Sequence, residues 1–134
     1  MITKKTEYAI KALWELAKSY GNLTTSKEIA QRQAIPPKYL PQIIAALSQA
    51  GLLTSMRGYG GGLKLSRPAE EITLLNIIEA MQGKPRFFDC QLSDTDCIHQ
   101  PGCQLKSVYN QTQDALVKVF ATFRLSDINF NESL

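Results

Sequence analysis

The chain has 134 residues, 44% of them hydrophobic and 20% charged, which is enough apolar material for one domain and too much for a disordered chain. No apolar run approaches the roughly 18 residues that span a bilayer, and the N-terminal MITKKTEYAIKALWELAK carries Glu7 and Glu15 among its lysines, unlike a secretory signal. A cytoplasmic protein is expected. The net charge of +3 divides unevenly, with ten Lys/Arg against three Glu in residues 1–67 and five Lys/Arg against nine Asp/Glu in residues 68–134. A basic half beside an acidic half suggests that one face meets a polyanion.

In chain order, Ala9, Leu13, Leu16 and Tyr20 recur at helical spacing, predicting a first helix from about Lys4 to Tyr20, with Gly21 and Asn22 as a stop. Thr25-Ser26-Lys27-Glu28 has capping-box spacing and opens a second helix that ends near Gln33. After Ala34-Ile35-Pro36, Pro37 is placed to start a third, carrying Tyr39, Leu40, Ile43, Ile44 and Leu47 as far as Gly51. Pro41 inside it lacks an N–H and crowds the turn before it, so a bend is expected there. Two short helices joined by a brief turn form a helix-turn-helix, by itself a weak signal.

The next stretch strengthens that signal. LLTSMRGYGGGLKLS predicts a strand over Leu52–Arg57, a glycine-rich tip and a strand over Leu63–Ser66. A phosphate-binding loop is the rival, but no GK[ST] follows and no helix starts after the glycines. A hairpin directly behind a helix-turn-helix is a wing, with Arg57, Lys64 and Arg67 beside its tip. A fourth helix follows, with Thr73 as cap and Gly83 as stop, and a long last one runs from about Gln104 to Phe123. On that last helix Leu105, Tyr109, Thr112, Leu116, Val119 and Phe123 form a heptad-like stripe that packs either on its own domain or on a second copy. The fold class is mainly α with a small β wing, a winged helix-turn-helix plus a long C-terminal helix suited to dimerisation.

Between the last two helices lie all three cysteines, Cys90, Cys97 and Cys103, and the only histidine, His99. Three is an odd number for a disulfide framework, and clustered cysteines in a cytosolic chain point to metal or redox chemistry. Cys90, Cys97, His99 and Cys103 make a Cys3His set that zinc accepts, although no paired C-x2–4-C knuckle is present. Phe87 and Phe88 would shield a metal or anchor the loop to the core. With one histidine, no nucleophile–base motif and no gathered acid pair, an enzyme is not expected. A protein-interaction winged helix is the other alternative.

TEYAIKAL, SKEIAQRQAI with KYLPQIIAALSQAGLL, RGYGGGLKLSRP, EEITLLNIIEAMQG and the three cysteines resemble, in that order, the Rrf2 family of bacterial transcription regulators, over about residues 1–125. The resemblance implies a homodimer on double-stranded DNA, with residues 1–83 as the DNA-binding domain (wing at about 52–66), 84–103 as a cluster-binding loop, 104–125 as the dimerisation helix and 126–134 as a tail. It implies DNA contacts from Lys38, Tyr39 and Gln42 at the start of the third helix, with Gln42 suited to an adenine edge. In the wing it implies contacts from Arg57, Gly60, Gly61 and Lys64. Cluster-binding members hold an iron–sulfur cluster through three cysteines, here Cys90, Cys97 and Cys103, and sense iron, cluster supply, oxidants or nitric oxide; other members lack the cysteines. One branch adds a histidine three residues after the last cysteine. Here Lys106 stands at that position, which favours a 4Fe-4S over a 2Fe-2S cluster. Another branch takes a carboxylate from the partner subunit, matched here by Glu7, with His99 as the alternative ligand.

Overall fold

The computed structural model describes residues 2–87, 98–99 and 102–130. Helix α1 (Lys4–Lys18) starts where the Thr3 side chain accepts the Thr6 N–H. It buries Ala9, Ala12, Leu13 and Leu16 along one face, the i, i+3, i+4 spacing of a core-facing helix. The helix ends at Lys18, short of the expected Tyr20. There the Ser19 hydroxyl donates to the Glu15 carbonyl and bonds Thr24 Oγ1 at 3.0 Å, Gly21 takes φ +92°, and Tyr20 turns outward, 60% exposed.

Helix α2 (Ser26–Gln33) is capped by Thr25, whose side chain accepts the Glu28 N–H at 3.2 Å. Among the described residues only that half of the expected box forms. The Glu28 carboxylate instead takes the Thr25 hydroxyl and pairs with Arg32 at 3.1 Å. Ala34 then adopts the left-handed region (φ 54°, ψ 42°), and the turn drives Ile35 into the core at 2% exposure.

The expected third helix is two elements. Pro37–Tyr39 form a 3-10 turn, and helix α3 begins at Leu40 and runs to Gln49. The reason is Pro41: inside a continuous α-helix its ring would strike the carbonyl of Pro37, whereas in a first turn its missing N–H costs nothing. The anticipated bend is therefore a helix start.

Strands β1 (Leu53–Met56) and β2 (Gly62–Leu65) pair antiparallel, Leu53 opposite Leu65 and Met56 opposite Gly62. An isolated bridge joins Leu63 to Thr24, tying the wing to the segment before α2. At the hairpin tip a Cβ on Gly61 would lie 2.2 Å from the Met56 carbonyl oxygen, so glycine is required there by the hairpin itself.

Helix α4 (Leu74–Gln82) has a full capping box: the Asn76 N–H donates to Thr73 Oγ1 at 3.0 Å and the Thr73 N–H donates to Asn76 Oδ1 at 2.9 Å. It packs between α1 and α5 (Gln104–Thr122). Its Gln82 Oε1 accepts from the Thr3 N–H and the Thr6 hydroxyl, fastening the end of α4 to the start of α1. Leu13, Ile29, Ile43, Leu47, Leu52 and Ile77 meet in one core, with each no more than 1% exposed. After α5 the chain returns. Arg124 bridges Thr73, Leu125 is buried, Trp14 Nε1 donates to the Ile128 carbonyl at 2.9 Å, and Phe130 meets the Trp14 ring edge-on. The segment expected as a tail thus begins within a stretch docked on α1.

Candidate nucleic-acid interface and cysteine loop

The 3-10 turn and the first turn of α3 carry Lys38, Tyr39 and Gln42, and the structure brings them to the N-terminal end of α1. Tyr39 is half-buried and stacks on Tyr8, ring centroids 5.8 Å apart. Lys38 is exposed, with its ammonium 5.1 Å from the Tyr39 ring centroid, and Lys4 lies 5.4 Å from the Tyr8 centroid. Gln42 is exposed, and its Oε1 accepts from Lys5 Nζ at 2.6 Å. An open groove bounded by Thr3, Lys4, Lys5, Tyr8 and Tyr39 runs beside this cluster. The result is a cationic, aromatic surface of the kind that meets phosphates and base edges.

On the wing, Arg57 and Lys64 are exposed, and Lys64 faces Thr54 across the hairpin. Gly60 has φ +77° and nothing near its Cβ position, so the tip is free to approach another surface. Arg67 was expected beside the tip. It sits instead at the base of the wing, in a depression with Asn76, Glu79 and Ala80, where its buried Nε has no hydrogen-bond partner among the described residues. Tyr59 at the tip is fully exposed, a feature that the glycine pattern obscured in the sequence. Lys5 was also missed, because nothing local in the sequence ties it to Gln42.

Of the cysteine loop, residues 84–87, 98–99 and 102–103 are described. Cys90, Cys97 and Phe88 lie outside the described residues. Cys103 occupies the N-cap position of α5, half-buried, a free thiol whose side chain makes no capping bond. Among the described residues it has no disulfide and no capping bond, which suits a thiolate ligand. His99 is exposed. Phe87 stacks on Phe120 of α5 at 6.3 Å, and its N–H donates to Gln113 Oε1 at 3.2 Å. Phe87 is therefore an anchor between the end of α4 and the flank of α5. Glu7 is exposed on α1 and paired with Lys4 at 3.3 Å. No group of three metal-ligating side chains forms among the described residues.

Along α5 no residue is buried: Leu105, Val108, Val119 and Phe123 are each about half exposed, Tyr109 and Leu116 are intermediate, and the Thr112 hydroxyl donates to the Val108 carbonyl within the helix. No helix among the described residues is long and apolar enough to cross a membrane.

Residues 2–130 match the family model described as "Rrf2: Iron-dependent Transcriptional regulator". The chain is 33% identical to the HTH-type transcriptional regulator NsrR of Oceanobacillus iheyensis, covering 98% of this chain and 90% of that protein. It is 35% identical to the HTH-type transcriptional regulator IscR of Cereibacter sphaeroides, covering 98% and 88% respectively. Among solved structures, CymR, the global cysteine regulator of B. subtilis, superposes with a TM-score of 0.79 at 29% identity, over 95% of this chain and 94% of that one. The chain therefore belongs to the Rrf2 family of winged helix-turn-helix, DNA-binding transcription regulators, and not to a family of enzymes.

Proposed function

We propose that the chain is a homodimeric regulator whose DNA binding answers to an iron–sulfur cluster. Residues 1–83 form the DNA-binding unit, 84–103 the cluster loop and 104–125 the dimerisation helix, ahead of the C-terminal residues 126–134. Cys90, Cys97 and Cys103 would hold the cluster, with Glu7 of the partner subunit as fourth ligand and His99 as the alternative. The observation that carries this reading is Cys103: the last thiol of the set stands free, with no capping bond among the described residues, at the N-cap of the helix that would join the two protomers. Thiolates suit iron–sulfur chemistry, and such a cluster supplies a redox- and iron-sensitive link whose loss is visible by colour. With Lys106 three positions beyond Cys103, a 4Fe-4S cluster is favoured over 2Fe-2S.

Dimerisation rests on α5. None of the 19 residues of α5 is fully buried, so the helix gains less from its own protomer than α1 does, and its apolar stripe is the surface a second copy would cover. On DNA, α3 enters the major groove with Lys38, Tyr39 and Gln42 at its leading end, while Arg57 and Lys64 with the Gly60–Gly61 tip approach the backbone and minor groove. Gain or loss of the cluster would shift the dimer between two spacings of its half-sites.

The test is anaerobic purification and reconstitution, with iron and sulfide analysis, absorbance and salt-dependent duplex binding. Iron and sulfide in equal amounts, a steep salt slope and loss of the chromophore in Cys103→Ser are expected. Zinc uptake without iron or sulfide overturns the cluster. The likeness to CymR supports a second reading, a thiol-responsive regulator without a cluster, and a colourless protein that still binds DNA decides for it. Glu7→Ala should change the spectrum; an unchanged one moves the fourth ligand to His99.

A further inference from the structure

Lys5 and Tyr8 stand three apart on α1, and Tyr39 and Gln42 stand three apart where the 3-10 turn passes into α3, so each pair shares a helix face. The two faces meet in two parallel rungs, Tyr8 on Tyr39 at 5.8 Å and Lys5 Nζ on Gln42 Oε1 at 2.6 Å. The aromatic rung holds the helices at a set separation, and the polar rung acts on the residue that meets DNA. A glutamine amide has an acceptor end and a donor end that a half-turn exchanges. With an ammonium against the oxygen, that half-turn would set an NH2 group against a cation, so the amide is held one way round. Its remaining free hydrogen-bonding capacity is then mostly that of a donor.

We propose that Lys5 is a positioning residue that sets the base preference of Gln42, presenting Nε2 to a base edge rich in acceptors. In the major groove guanine offers two acceptors, N7 and O6, whereas an adenine partner needs the amide oxygen free to accept from N6. Gln42 held by Lys5 therefore selects guanine, and Gln42 released from Lys5 selects adenine, the pairing its side chain alone would favour. The proposal rests on the DNA-binding reading and refines one contact within it. Lys4 differs from its neighbour in that its ammonium pairs with Glu7.

The experiment is selection from a randomised duplex pool by the full-length dimer, run for wild type, Lys5→Met, Lys5→Arg, Gln42→Ala and the Lys5→Met/Gln42→Ala double variant. The position read by Gln42 is the one whose preference vanishes in Gln42→Ala. There, Lys5→Met is expected to shift the guanine-to-adenine ratio toward adenine by about fivefold, the lower end of what one good base contact is worth. Lys5→Arg, which keeps a donor, should retain guanine, and in the Gln42→Ala background Lys5→Met should shift nothing. An unchanged preference in Lys5→Met overturns the proposal. So does a uniform loss of affinity with a salt slope smaller by about one, which would make Lys5 a phosphate contact. A wild type that enriches no sequence overturns the DNA-binding reading itself, and this refinement with it.

Discussion

Helix α1 buries seven of its fifteen residues, whereas α5, with nineteen, buries none. Both carry apolar residues at helical spacing. The first is enclosed by α2, α3, α4, the wing and the returning C-terminal segment. The second is held mainly along one side, by α4 and the Phe87–Phe120 stack, and keeps Leu105, Val108, Val119 and Phe123 in water. Short helices are marginal alone and draw their stability from packing an apolar face. The contrast teaches that α1 is a framework within one protomer, while α5 keeps an apolar stripe that the protomer leaves about half exposed.

The strongest way to break this comparison acts on α5. Val119→Glu combined with Phe123→Glu removes two half-exposed apolar contacts of the proposed interface, each worth about 2 kcal/mol. The dimer should weaken by roughly 1,000-fold in sedimentation equilibrium, with the circular dichroism of the protomer retained. A double variant that stays dimeric refutes the role given to α5. On the other side, Leu13→Ala opens the core around α1 and should cost about 3 kcal/mol in chemical denaturation, leaving the dissociation constant of the dimer unchanged.

Glu15 sharpens the contrast, because α1 also buries a charge. Its side chain is 3% exposed, with Oε1 accepting from Gln33 Nε2 at 2.6 Å and lying 3.3 Å from Lys18 Nζ, while Oε2 has no hydrogen bond among the described residues and Arg32 stands 3.8 Å away. Lys18 and Arg32 are about half exposed, so solvent screens both pairs. Glu15→Ala should therefore cost about 2 kcal/mol, mostly by stranding Gln33 and loosening α1 from α2. The smallest effect belongs to α4, the layer between the two helices: Thr73→Ala deletes one half of its capping box, and a loss of about 1 kcal/mol is expected in the same denaturation measurement.

Much of the fold was legible because its signals are local. Thr25 and Thr73 as caps, Gly83 as a stop and the Gln104 start of α5 follow from residue chemistry within one turn. The errors arose where two local rules competed or a distant group intervened. Pro41 predicts a bend because its ring excludes a continuous helix, and the chain resolves the conflict by starting α3 at Leu40, directly before the proline. Proximity in sequence places Arg67 with the wing tip, yet hairpin geometry carries it to the base, beside α4. Of the candidate site, the residue types and their elements could be read from the chain; the partners of Tyr39 and Gln42 could not, since Tyr8 and Lys5 lie more than thirty positions away.

The sequence by itself determined the order of elements, the wing, the family and the grouping of three thiols ahead of the last helix, because spacing, capping and glycine placement act over a few residues. Only the tertiary structure decided which amphipathic helix is enclosed and which keeps its apolar side half exposed. It also showed that the hairpin itself requires glycine at position 61, against the Met56 carbonyl, and set Lys5 against Gln42. These outcomes depend on where separate elements cross in space, and the periodicity of a helix records that it has an apolar face without recording what will cover it.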